Sequence, residues 1–166
     1  MFKKDLLRYK DKNGNIDWSE PSILIILIYR LGKSIEQIKY SPLRRLLFFI
    51  HLPFYAFFTL LTGIHIPRSC EIGHGLRIYH FGCVILNPLT KIGLNCTLRH
   101  GVTIGNRRTD NDVPILGNNV NVGAGAKILG KITIGNNVDI GANAVVLIDV
   151  PDNHIAVGIP AHLRKK

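Results

Sequence analysis

Seven histidines are the side chains of this 166-residue chain best suited to move protons near neutral pH, since an unperturbed imidazole titrates at about 6.5. Two of them have matching settings. His80 is the third residue of a six-residue unit that begins at Ile78, and His100 is the third residue of one that begins at Leu98. A pair of imidazoles held together suits general-base attack on a hydroxyl, or two of the ligands of a bound metal. His65 stands fifteen positions before His80, and Tyr79 adjoins it. A strongly polar run, Asn106 to Val113 (NRRTDNDV), adds Arg107, Arg108, Asp110 and Asp112. Paired arginines there suit an acidic substrate.

The elements that must position these groups repeat with a period of six. Ile66, Ile72, Ile78 and Val84 share one phase. After a two-residue slip near Pro88, Ile92, Leu98, Ile104, Leu116, Val122, Ile128, Ile134, Ile140 and Val146 share a second. Glycine follows many of these aliphatics, and a small or β-branched residue often precedes them by two. A helix needs a period of 3.6 and an isolated strand a period of two, so neither accounts for the pattern. Short strands separated by tight bends do. Three such strands close a triangular coil of about 18 residues, and stacked coils form a parallel β-solenoid. His80 and His100, separated by one coil plus the slip, then occupy equivalent corners of adjacent coils. Their backbones are expected about 5 Å apart. The pairs Asn118-Asn119 and Asn136-Asn137 suit corners that need left-handed backbone angles. The stretch at about 106–114 lacks the repeat's aliphatic and is expected to protrude as a loop.

The 46% hydrophobic content supplies a core, and the formal charge of +10 implies anionic company. No zinc-finger, ribonucleoprotein or helix-turn-helix signature is present, and the basic residues are scattered, which argues against nucleic acid. Three cysteines at non-metal spacing argue for a reducing compartment, and the charged start MFKKDLLRYK differs from a secretory signal. A cytoplasmic protein is expected.

Residues 1–62 are built differently. IDWSEPSILIILIYRLGKSI reads as a helix with Ser19 as N-cap and Pro21 in the first turn. LRRLLFFIHLPFYAFFTLLTGI is a second apolar stretch, broken at His51 and Pro53 into pieces shorter than a bilayer span. This α-helical segment is expected to cap the first coil and reach across an oligomer axis, or to lay its aromatic face, with Arg44 and Arg45, on the inner membrane as a peripheral contact.

LRHGVTIG (98–105), VGAGAKILGKITIGNNVDIGANAVV and VPDNHIAVGIPAHLRK resemble the hexapeptide-repeat acyltransferases. They look like the serine acetyltransferase branch and are closest to its polysaccharide-modifying, colanic-acid-type relatives. The likeness covers about residues 62–166. It implies a mainly β fold, a left-handed parallel β-helix over 63–166 with the short α-helical N-terminal segment. It also implies a homotrimer with active sites between subunits, and acetyl-CoA as donor with no metal required.

The resemblance places His80 on the catalytic base, with His100 as a second catalytic or site-wall residue. Gly105, Asn106, Ala124 and Ala142 fall on positions lining the coenzyme A groove, and Lys127 is a candidate for its phosphates. His65, Tyr79, Arg107 and Asp112 are the candidates for the acceptor. Two departures bear on that acceptor. Serine acetyltransferases carry an acidic residue where His65 stands, and a His and an Arg where Val113 and Asp112 stand. Those residues help to fix the amino-acid acceptor, so a sugar or surface-polysaccharide hydroxyl is expected in place of serine. Serine O-acetylation is the alternative, followed by a metal-dependent hydratase using both histidines and by a non-catalytic scaffold.

Overall fold

The computed structural model describes all residues, Met1–Lys166, and turns the period of six into three faces per coil. The first coil holds β1 (Ile64–His65), β2 (Glu71–Ile72) and β3 (Arg77–Tyr79), and the second β4 (Val84–Leu86), β5 (Lys91–Ile92) and β6 (Thr97–Arg99). The third holds β7 (Thr103–Gly105), β8 (Ile115–Leu116) and β9 (Asn121–Val122), and the fourth β10 (Lys127–Leu129), β11 (Thr133–Ile134) and β12 (Asp139–Ile140). β13 (Val145–Val146) and β14 (His154–Val157) continue the winding, and β15 (His162–Lys165) folds back antiparallel on β14. The faces are β1-β4-β7-β10-β13, β2-β5-β8-β11 and β3-β6-β9-β12-β14-β15, parallel up to β14. The architecture is a left-handed β-helix.

Each face sends one row of aliphatics inward. Leu86, Ile104, Ile128 and Val146 stack on the first face. On the second they are Ile72, Ile92, Leu116 and Ile134, and on the third Ile78, Leu98, Val122 and Ile140. All are buried. Burying a large aliphatic side chain contributes roughly 1.5–3 kcal/mol, so these rows set the register. Corners are turned by asparagines in the left-handed region, including Asn95, Asn119, Asn137 and Asn143. Asn119 donates to Asn137, and Asn137 to Asn153, forming an amide ladder up one edge.

The register relocates the slip. Ile64 pairs with Val84, so Leu86, not Val84, continues the row begun by Ile66. The two extra residues therefore lie between Tyr79 and Val84, not near Pro88. Val84 and Leu86 both point inward around an exposed Ile85, so a six-residue count cannot tell which of them opens the unit.

The N-terminal segment holds α1 (Phe2–Leu6), α2 (Ser22–Glu36) and α3 (Ser41–Thr62). It packs on the first coil through a buried ion pair. Arg30 Nε reaches Asp5 Oδ2 at 2.8 Å, and the guanidinium also donates to the carbonyls of Ile72 and Gly73, each at 2.7 Å. Asp5 in turn accepts the backbone N–H groups of Gly75 and Leu76. Tyr9 and Ser22 occupy the open edge of β3. The Ile78 N–H donates to the Tyr9 hydroxyl at 2.9 Å, and the Ser22 hydroxyl donates to the Ile78 carbonyl at 2.7 Å. An unpaired strand edge is thus covered by side chains.

Two local expectations change. Ser19 does not cap α2: its hydroxyl donates to Asp17 at 2.5 Å, and the helix begins at Ser22 behind Pro21. Short Asx-type bonds of this kind compete with capping. The second apolar stretch is one continuous helix of 22 residues that runs through Pro53, long and apolar enough by composition to cross a bilayer. A mid-helix proline removes one backbone bond, at a cost of about 3 kcal/mol, without ending the helix where the flanking turns hold. Gly32 of α2 lies under His51, whose Nε2 donates to the Ile28 carbonyl at 2.9 Å, and this contact fixes α3 against α2.

Candidate active site

The inward row Ile78–Leu98–Val122–Ile140 carries a second row with it. Two residues further along each strand stand His80, His100, Ala124 and Ala142, stacked along one edge of the prism. Backbone bonds tie the levels together: Gly101 N–H to Gly82 O, Gly125 N–H to His100 O and Asn143 N–H to Ala124 O, at 3.0, 2.9 and 2.8 Å. The His80 and His100 rings lie 6.0 Å apart, tilted by 56°.

The extra two residues lie at this very corner. His80 has φ 64°, Gly82 114° and Cys83 51°, so the chain bulges outward where the next coils turn tightly. A side-chain-bearing residue in the left-handed region costs roughly 1–2 kcal/mol and persists only where its surroundings hold it. Here a holder is Glu20, just before α2, whose Oε2 accepts the His80 backbone N–H at 3.2 Å. Two guanidinium groups also flank the corner. Tyr79, its ring 6.3 Å from His80, lies under the Arg77 guanidinium at 3.9 Å and near that of Arg99 at 5.5 Å. A Cβ on Gly63, which ends α3, would lie 3.0 Å from the Cys83 nitrogen, so α3 ends on the bulge.

The other expected site residues are distributed as follows. Gly105 ends β7 and Asn106 begins the loop, so both lie at the far end of the first face, one edge away from His80 in the same chain. Asn106 accepts from Asn87 there at 3.3 Å. Lys127 points outward from the first face, donating to the Gly101 carbonyl and, at 3.1 Å, to Thr103 Oγ1. His65 faces Tyr55 of α3, ring to ring at 6.3 Å, and no hydrogen bond joins it to His80.

The loop is organised by Asp112. Its carboxylate accepts the backbone N–H groups of Arg107, Arg108 and Thr109 at 2.9, 2.9 and 3.2 Å. Desolvation, the largest single influence, pushes this carboxyl up, and the amides together pull it below the ordinary aspartate value. Asp112 therefore shapes the loop instead of serving His80. Asp110 is exposed and lies in the same loop. Val113 and Pro114 are buried as the chain returns to β8. Arg107 lies across Gly130, where an added Cβ would meet its Cβ at 3.4 Å.

Sequence reasoning missed Glu20, Arg77, Arg99 and Cys83. Glu20 is sixty positions from His80, and nothing in a local pattern links them. Arg77 and Arg99 do carry a signal: Arg77 precedes the inward aliphatic Ile78 and Arg99 follows the inward aliphatic Leu98, on the two strands that lead into His80 and His100.

The repeat and the fold agree with known proteins. Residues 114–147 match the family model "Bacterial transferase hexapeptide (six repeats)". The serine acetyltransferase of Helicobacter pylori strain J99 is 41% identical over 143 residues, spanning 85% of this chain and 80% of that protein. The putative colanic acid biosynthesis acetyltransferase WcaB of Escherichia coli K12 is 47% identical over 103 residues, 61% of this chain and 64% of that one. A solved serine acetyltransferase in complex with CoA superposes with a TM-score of 0.79 at 27% identity, covering 98% of this chain and 68% of that one. With the repeat, the coiled architecture and a relative matched over four fifths of its length, this chain is an acetyl-transferring enzyme and belongs to the hexapeptide-repeat acetyltransferase family that includes the serine acetyltransferases.

Proposed function

We propose that the chain moves an acetyl group from acetyl-CoA to the hydroxyl of a sugar or surface-polysaccharide precursor in the cytoplasm, with His80 as general base. The carrying observation is the His80–His100 pair, 6.0 Å apart on an edge whose next two levels are Ala124 and Ala142. His80 takes the hydroxyl proton as the oxygen attacks the thioester carbonyl. The tetrahedral intermediate collapses, the carbon–sulfur bond breaks, and the imidazolium returns its proton to the departing thiolate. His100 walls the site. The small side chains of Ala124 and Ala142 leave the backbone open to a pantetheine arm, and a CoA-bound relative with the same fold supports that donor. Gly105 and Asn106 lie one edge away, so they reach the same groove only when a neighbouring copy supplies them. This supports a homotrimer, for which sedimentation is expected to give three times the 18.5 kDa of the chain.

The acceptor has two readings. Similarity by name and length of match favours serine, through the Helicobacter pylori relative. The side chains favour a sugar. Free serine brings an ammonium and a carboxylate, and the residues that would meet them have changed or are engaged: Val113 is buried, Asp112 holds loop amides and His65 faces Tyr55. The WcaB similarity points the same way. Thiol release from acetyl-CoA, measured with L-serine and with a panel of sugars, sugar nucleotides and oligosaccharides, separates the readings. Turnover with a sugar at least ~10-fold above serine in kcat/KM, about 1.4 kcal/mol of transition-state preference, is expected. The reverse preference establishes serine and removes the sugar reading.

A further inference from the structure

Helix α3 has its polarity inverted. A helix on a water-soluble protein normally turns apolar residues inward and polar ones outward. In α3 the inward side is made by Ser41, Arg44, His51, Tyr55, Thr59 and Thr62, with Leu47, Phe48 and Phe58 among them, at the three- and four-residue spacing of one helix face. His51 is bonded to α2, Tyr55 stacks on His51, and Thr62 is the one buried residue of the helix. The outward side is almost wholly apolar. Phe49 is 76% exposed and Leu60 85%, and Leu46, Leu52, Phe54 and Phe57 are each more than half exposed beside them. Arg45 is the only charge on this side. An apolar surface of this extent on one element marks a docking face.

The charges nearby say what docks. Between Glu36 and Glu71 the chain holds no acidic residue; Arg68 pairs with Glu36 at 3.6 Å, and Lys39, Arg44 and Arg45 have no carboxylate partner. A second copy laid on this face would bring like charges together, whereas an anionic lipid headgroup complements them. By length and composition α3 qualifies as a bilayer span, but its inner face is clamped to α2 through Gly32 and His51, and Gly63 ties its end to the solenoid. It is free to lie along a surface and not to cross one.

We infer that α3 is an interfacial membrane-binding helix, which seats the enzyme on an anionic phospholipid surface with Phe49, Leu52, Phe57 and Leu60 among the acyl chains and Arg45 at the headgroups. The inference is independent of the acceptor.

The test is co-sedimentation of the full chain with vesicles of phosphatidylglycerol and phosphatidylethanolamine in equal parts, and with phosphatidylcholine alone. Binding to the anionic vesicles that weakens with salt is expected, at least ~10-fold tighter than to phosphatidylcholine. Phe49→Glu with Leu60→Glu should abolish it while leaving acetyl-CoA turnover and oligomer mass unchanged. Arg45→Gln, a surface change that spares the fold, should weaken it about fivefold. Failure to bind at low salt overturns the inference, as does binding indifferent to the Glu pair. If the Glu pair instead lowers the oligomer mass, the face is covered by another copy and the membrane reading is wrong.

Discussion

The carboxylate of Glu20 holds the backbone N–H of His80 at 3.2 Å, joining the N-terminal segment to the corner that carries the proposed base. The bond restrains a histidine at φ 64° in a corner two residues longer than its neighbours. Glu20→Ala is expected to lower kcat/KM about 3- to 30-fold by loosening that corner, in keeping with the weight of a hydrogen bond to a charged group. Glu20→Gln keeps an accepting oxygen and should recover most of the loss. A Gln variant as impaired as the Ala variant would show that the charge matters and not the tether.

Replacing the proposed base itself should cost far more. His80→Ala is expected to reduce kcat by about 10²–10⁴ with little change in acetyl-CoA binding by calorimetry. His100→Ala should cost about 10-fold, mostly in KM for the acceptor, as a wall residue would. Comparable kcat losses in the two variants would give His100 an equal share in the proton transfer.

The loop has its own pH response. The folded value of Asp112 lies below its ordinary one, so its contribution is complete above the unfolded value of about 3.9 and is lost as pH falls through the folded value. Amide chemical shifts of Arg107, Arg108 and Thr109 should stay flat above pH ~4 and move below it. In Asp112→Asn the same signals should show no transition. A transition centred near neutrality would assign the loop's ordering to some other group.

The cysteines differ in access. Burial pushes the Cys70 thiol up to about 12 and also raises Cys96, while Cys83 is exposed on the bulge three residues past His80. Iodoacetamide at neutral pH should therefore label Cys83 alone, detected by peptide mass. Its modification should slow turnover, and acetyl-CoA should protect. Labelling of Cys70 without unfolding would contradict the packing of the first coil.

The Asp5–Arg30 pair should dominate the attachment of the N-terminal segment. Arg30→Met leaves a buried carboxylate facing only the amides of Gly75 and Leu76. The expected loss is about 3–5 kcal/mol, read as a lower denaturation midpoint. The paired change Asp5→Leu with Arg30→Met should recover part of it. An unchanged midpoint in the single variant would mean the segment detaches before the solenoid unfolds.

The architecture was legible in the chain because a solenoid repeats its local rule at every level. An aliphatic every six residues fixes three faces, and residues at like positions of successive units must stack, as Ile78 and Leu98 do. That rule alone brought His80 to His100, while the resemblance supplied Ala124 and Ala142, which the structure stacks above them. It misplaced the slip, because Val84 and Leu86 are alternate inward residues of one strand and a count by six accepts either. Tertiary structure decided whatever joined separate parts of the molecule: Glu20 at the His80 corner, Asp5 against Arg30, and α3 held with its polar side inward. Those contacts follow from the direction in which the N-terminal helices leave the first coil and from which donors remain open there. Neither is encoded in any short window of sequence.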